Sequence, residues 1–261
     1  MFKQISNEEY HSEYRNYLSS SDLRKLLRSP AHFRTPNTFS TPAQEFGTLV
    51  HEAVLEPDMF KARCKPSPKI DRRTTEGKAL AAWQEEQHSR HGIKFIAEDV
   101  YSQIEDITRA VSTSLGATGI LSGGVAELSG FTELCGSNIR VRPDYLKDDC
   151  IVDLKTTQDA RPEAFMRSIM AFGYMVQAAL YVDACEAIDG NKRDFIWLAV
   201  EKDAPYGVQI FKASDEMLAH GRKLYQKAIQ TYLECSQIDY WPCYSTVIQT
   251  LILPKWAQEN L

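Results

Sequence analysis

An α/β fold, with a mixed central β-sheet flanked by helices and a helical N-terminal third, is what this 261-residue chain predicts. Three observations carry that expectation. Apolar residues recur at helical spacing through much of residues 19 to 115, short alternating segments follow a glycine-rich turn at Gly116 to Gly124, and helical and strand patterns then interleave to the end. A composition of 43% hydrophobic and 25% charged residues can bury a sizeable core. No linker, internal repeat or low-complexity tract interrupts it, so one domain over residues 1–261 is expected. Residues 1–120 form its mainly helical part and 121–261 its sheet-containing core.

Residues 19 to 28, SSSDLRKLLR, predict a short helix with a serine N-cap, stopped by Ser29-Pro30. QEFGTLVHEAVLEP places Phe46, Leu49, Val50, Ala53 and Val54 at helical spacing until Pro57, with Gly47 and His51 on one face. The proline- and arginine-rich stretch from Cys64 to Thr75 reads as an exposed loop. Helices are expected near 76 to 90 and 97 to 115, the second supported by Ile104, Ile107, Val111 and Leu115. Strands near 125 to 134, 139 to 147 and 150 to 156 suggest a meander. From Pro162 to about Ala187 one helix is predicted through Phe165, Ile169, Phe172, Val176, Leu180 and Ala184, with Gln177 and Tyr181 one turn apart. Two strands, DFIWLAVE and GVQIFKA, then precede a final helix from about Ser214 to Cys235.

Several function classes are disfavoured by composition. A net charge of −5 argues against broad adhesion to nucleic acid, although a local basic groove can still bind it. Six cysteines without a C-x-x-C pair spell neither a zinc site nor an iron-sulfur pattern, and reduced thiols in a cytoplasmic protein are the simpler reading. The start lacks an apolar signal region and no run approaches the roughly 18 apolar residues of a membrane span, so no membrane partner is expected.

The chemistry concentrates at CIVDLKTT, an apolar strand interrupted by one acid and one lysine. Side chains two apart share a face, so Asp153 and Lys155 project together at roughly 6 to 7 Å while Leu154 packs behind. Upstream, IRVRPDYL reads as a strand bent at Pro143, and a hairpin through Lys147, Asp148 and Asp149 brings Asp144 beside Asp153. Two adjacent carboxylates need a cation, or one of them takes a proton. Acids and a lysine around one point suit a metal ion and a phosphodiester. A D/E-x-K spacing alone arises by chance about once in a chain of this length. Glu76-Gly-Lys78 has it too, in a polar stretch with no strand around it. An ordinary ion pair at a strand end is the alternative for Asp153 and Lys155.

Taken together, GTLVH with His51, a strand bearing Glu127, RPD with Asp144, DLK with Asp153 and Lys155, and QAALY with Gln177 and Tyr181 resemble the RecB-like branch of the PD-(D/E)xK nuclease superfamily. More closely, YLSSSDLRKLLRSPAHF, GTLVHEAVLEP, RVRPD, IVDLKTT, VQAALYVDA and the terminal WP…LPKWA resemble RecE-type (exonuclease VIII) nuclease domains and their phage relatives, from about Tyr10 to Trp256. The resemblance implies a restriction-endonuclease-like core. It also implies an exonuclease acting 5′ to 3′ on double-stranded DNA ends, leaving 3′ single-stranded tails for a RecT-like annealing protein in recombination. A homo-oligomer, a ring tetramer threading DNA, comes with it. By position, His51, Asp144, Asp153 and the Leu154 backbone carbonyl match metal ligands, Lys155 matches the catalytic lysine, and Glu127 an acid near the metals. Gln177 and Tyr181 match an element placed near the DNA end. Ser29 stands where some relatives carry a cysteine, so no iron-sulfur cluster is expected.

Asp144 and Asp153 offer hard oxygen ligands for Mg²⁺, and the His51 imidazole lets Mn²⁺ substitute. Lys155 is expected to orient or deprotonate the attacking water. Tyr181 could stack on a base or bond a phosphate. Arg140, Arg142, Arg72 and Arg73 are candidate phosphate contacts, with solvated surface roles as the alternative. A structure-selective endonuclease of the same fold, and a noncatalytic DNA-binding module, are the competing functions.

Overall fold

Hydroxyl side chains set where the N-terminal helices begin, and prolines reinforce them. In the computed structural model, which describes residues 1–36 and 40–253, β1 (Phe2–Lys3) leads into α1 (Asn7–Ser12), α2 (Ser20–Arg28) and α3 (Pro30–Arg34). Ser19 caps α2 in a reciprocal capping box with Asp22, and Ser29 caps α3. Thr41 and Gln44 form a second capping box ahead of α4 (Pro42–Leu55), whose first residue is proline. Pro57 then opens α5 (Pro57–Arg63).

The stretch read as an exposed loop begins with a strand. β2 (Cys64–Ser67) pairs in parallel with β3 (Lys94–Ala97), across α6 (Thr75–His91). Its apolar positions are too few to announce it. Glu76 and Lys78 lie exposed in the first turn of α6, as the solvated reading expects. Next come α7 (Glu98–Thr113) and α8 (Leu115–Ile120). Leu115 does not continue the apolar series of α7: it starts α8 and is 90% exposed.

The expected meander is instead divided between two sheets. β4 (Val125–Ala126), β5 (Ser129–Leu134), β6 (Ser137–Val141), β7 (Tyr145–Leu146) and β8 (Cys150–Thr157) follow in order. β5 and β6 join β1 in a three-stranded sheet, whereas β4, β7 and β8 belong to a five-stranded one. The chain crosses between them at Glu127-Leu128 and again at Arg142-Pro143-Asp144. Pro143, lacking an N–H, cannot serve as a ladder donor there.

The predicted single helix after Pro162 is two: α9 (Pro162–Phe172) and α10 (Tyr174–Asp189), bent by 76° at Gly173, whose φ is +65°. Glycine takes that conformation without a steric penalty, and the break leaves Phe172 58% exposed. β9 (Asp194–Glu201), β10 (Val208–Lys212) and α11 (Asp215–Ile238) complete the fold. The larger sheet runs β10-β9-β8-β7-β4, with β8 and β9 parallel and the other pairs antiparallel, so it is mixed as expected.

Two hydrophobic cores lie on opposite faces of this sheet. One gathers Ile151, Phe195 and Trp197 with Leu23, Phe165, Leu180 and Ile229 from the helices. The other gathers Val152, Leu154, Leu198 and Val200 with Val50, Ile104 and Ile107. Burying each such side chain contributes about 1.5–3 kcal/mol. Alternation along β8 therefore sends Leu154 to one core and turns Asp153 and Lys155 toward the α10 face. Among the described residues no single helix is long and apolar enough to cross a membrane. The bent pair α9–α10 reaches the apolar content only jointly, with α10 buried in the core.

Candidate active site

An incomplete sheet edge creates the site. β7 pairs with β8 only at Tyr145↔Val152 and Leu146↔Ile151, so the backbone of Leu154 has no strand beside it on that edge. Asp144, one residue before β7, takes the vacant place with its side chain: Oδ2 accepts the Leu154 N–H at 2.7 Å. The imidazole of His51, on α4, approaches the Leu154 backbone from the other core's side of the sheet.

Asp153 is fully buried on the opposite face. Gln177, in the first turn of α10, donates from Nε2 to Asp153 Oδ1 at 2.7 Å. Lys155 Nζ stands 2.5 Å from Oδ2 as an ion pair and 5.1 Å from the centre of the Tyr174 ring. Beyond that ion pair, Oδ2 accepts no hydrogen bond among the described residues.

A third acid completes the group. Glu127 sits at the crossover between sheets with φ of +53°, and its N–H donates to the Asp144 carbonyl at 3.1 Å. A non-glycine residue in that conformation costs about 1–3 kcal/mol, a strain that here aims a carboxylate. His51, Glu127 and Asp144 each offer a ligand atom, all within 4.8 Å of one another, and His51 Nδ1 lies 3.3 Å from Asp144 Oδ2. Asp153 stands outside this triplet, held by Lys155 and Gln177.

Burial dominates the electrostatics. It raises Asp153 to about 6 against the pull of Lys155, and Asp144 to about 6 against the same lysine and the Leu154 N–H. Glu127 rises to about 8, through burial first and the charge of Asp144 second. His51 falls to about 4 because burial and then Lys155 disfavour its cation. Burial works against the Lys155 charge, but Asp153 and Asp144 outweigh it and its pKa rises. Neutral imidazole and closely spaced carboxyls above their usual range fit a divalent cation bound by hard ligands. Such an ion would be held by His51, Asp144, Glu127 and Asp153, with the Leu154 carbonyl beside them.

An open cleft of about 810 Å³ gives access, its wall including His51, Glu127, Arg142, Lys155, Tyr174 and Gln177. Five sequence-derived contacts are placed elsewhere or differently. Arg140 is 8% exposed, donates to the Tyr10 carbonyl at 2.8 Å and does not line the cleft, so its expected phosphate contact there is corrected. Tyr181 is 7% exposed and packs edge-on against Phe195, so burial keeps its ring from stacking on a base. Arg142 reaches the cleft but already donates to Ser129, Asn7, Ile5 and Ser6. Arg73 is exposed and paired with Asp71, and Arg72 is exposed. The sequence reading missed Tyr174, although it lies one turn before Gln177. It also missed Arg24, whose Nη1 donates to the Phe172 carbonyl at 3.0 Å on the cleft wall.

A mixed sheet with D-x-K on an inner strand, an acid on the preceding turn and a helix-borne glutamine behind them defines the PD-(D/E)xK class of nuclease folds. The chain belongs to the family described as PDDEXK-like domain of unknown function (DUF3799), whose profile matches residues 19–254. Among solved structures it is similar to a protein of Eubacterium rectale described as a candidate exonuclease. The two share 16% identity with a TM-score of 0.66, over 99% of this chain and 98% of the other, a likeness of fold. No curated protein matches the chain.

Proposed function

We propose that this protein is a divalent-metal-dependent exodeoxyribonuclease that hydrolyses phosphodiester bonds from the ends of double-stranded DNA. The observation that carries the reading is the convergence of His51, Glu127, Asp144, Asp153 and Lys155 at the open edge of β8. Mg²⁺ is the proposed physiological ion, with Mn²⁺ able to replace it. The 5′ to 3′ direction, the 3′ tail handed to an annealing protein in recombination, and a ring-shaped homo-oligomer rest on the RecE-type resemblance. The family membership and the candidate exonuclease with the same fold support the broader assignment.

When bound, the cation supplies charge neutralisation at phosphorus and a more acidic water. The chain's own residues do the rest. Asp144 and Asp153 enter as carboxylates, their protons given up as the site is filled. Lys155, held between Asp153 and the Tyr174 ring, points an ammonium at the cleft, where it orients the attacking water and offsets charge growing on the phosphate. Gln177 holds the Asp153 carboxylate in its rotamer. Glu127 adds a third carboxylate beside His51 and Asp144. Linear duplexes labelled separately at each 5′ and 3′ terminus, beside closed circles, with and without Mg²⁺, test the whole reading. Stepwise loss of label from 5′ ends with intact circles is expected. Cleaved circles would instead favour an endonuclease, and no cleavage of any form a binding module.

A further inference from the structure

A second cavity, of about 460 Å³, lies behind α2 from the active cleft and combines guanidinium groups with aromatic rings. Arg15, Arg34 and Arg140 line it with Phe33 and Trp241. The Arg140 side chain is 9% exposed, Nη2 comes no nearer than 3.9 Å to Asp22 Oδ2, and Nε has no partner among the described residues. A buried cation with unfilled donors is costly unless something completes it. Two acids, Asp22 and Asp239, also line the cavity, but both are committed: Asp22 accepts from Ser19, and Asp239 from Trp241 Nε1 at 3.0 Å. Three guanidiniums against two carboxylates leave the lining with an excess of positive charge, which favours an anion.

The rings add the second half of the recognition. The Arg34 guanidinium lies 5.2 Å from the centre of the Trp241 ring, and Phe33 packs against the same indole at 5.5 Å. Phosphate-binding arginines beside stacking rings are the combination that takes up single-stranded nucleic acid without reading its sequence. The cavity also adjoins the active cleft through shared elements. On α2, Ser20 and Arg24 face the cleft while Asp22 faces the cavity. On the other side Arg142 faces the cleft and Arg140 the cavity, their guanidiniums 4.2 and 5.0 Å from the one Tyr10 ring.

We propose that this cavity is a binding site for a nucleotide unit of single-stranded DNA, its phosphate on the Arg15, Arg34 and Arg140 group and its base against Trp241. That the strand is continuous with DNA in the active cleft rests on the nuclease reading; the site itself does not.

The test uses the full-length Lys155→Ala protein in EDTA, where nothing can be cleaved, titrated with a short oligothymidylate while tryptophan fluorescence is followed. A saturable change is expected, lost in Trp241→Phe. Joint Arg15→Ala and Arg34→Ala should weaken it ~10-fold. Thymidine monophosphate and inorganic phosphate, the free-anion alternatives, should bind far more weakly. Arg140→Lys, which keeps the charge but loses the fork, should weaken binding without unfolding the protein. No Trp241-dependent change, unaltered affinity in the double arginine variant, or equal binding of the monophosphate would each overturn the proposal. Because the readout needs neither metal nor turnover, its failure beside wild-type cleavage removes the cavity site alone. Intact binding beside absent cleavage removes the nuclease assignment alone.

Discussion

Lys155 has the most exposed task in the site, since it carries the one positive charge that joins the Asp153 carboxylate to the cleft among the described residues. Replacing it with alanine should lower the cleavage rate by about 10²–10⁴-fold while leaving DNA affinity within a few-fold, measured by single-turnover cleavage and by binding in EDTA. Near wild-type cleavage would remove it from the reaction. Protonation gives a second prediction. Asp144, Asp153 and Glu127 are all raised by burial, so the stability they contribute to the metal-free protein is complete below about pH 4. It is lost as pH climbs through 6 for the aspartates and 8 for Glu127. His51, lowered by burial, acts in the opposite sense, but only as pH falls from 6.5 toward 4. The Tm in EDTA should therefore be lower at pH 8 than at pH 6, and Mg²⁺ should raise it more at pH 8. A magnesium shift equal at both values would contradict this assignment. At this scale the sequence was informative wherever spacing alone decides geometry: the period of two put Asp153 and Lys155 on one face. It did not disclose the burial of Arg140 and Tyr181, both expected at the DNA, because which side chains a core covers depends on neighbours more than a hundred residues away or on another element.

Helices α10 and α11 approach closely at Gly221, where an added Cβ would lie 2.1 Å from the Met175 carbonyl oxygen. Gly221→Ala should cost about 1–3 kcal/mol or more, seen as a lowered urea midpoint, because the obstructing atom is backbone and cannot turn aside. Gly47, also helical, is the control: a Cβ there meets only Thr156 Oγ1 at 3.7 Å, so Gly47→Ala should stabilise by up to about 1 kcal/mol. Equal effects at the two positions would show that propensity, and not space, decides. Caps and prolines made α2 and α4 readable from the chain. The break at Gly173 was not, since Phe165 to Ala184 keeps helical spacing across it, and β2 escaped because only its ends are buried.

Across the whole molecule, β8 and β9 contribute side chains to both cores, so neither core can form fully without the other. We propose that residues 1–261 unfold as one unit, and calorimetry should find a single transition whose van't Hoff and calorimetric enthalpies agree. Two separable transitions would divide the molecule at the sheet. The fold class was legible because alternation and helical spacing report burial locally; the division of strands between two sheets was not, because pairing is a long-range choice. The short β7 also sets a trade between durability and work. Pro143→Val would restore an amide where the ladder now stops, inviting the sheet to zip one rung further along β8. Such a variant should melt higher yet cleave less, since a healed edge would seal Leu154 away from Asp144 and His51. Activity here is then a tax levied on β-sheet completeness, and an unfinished hem in the fabric is what admits the substrate.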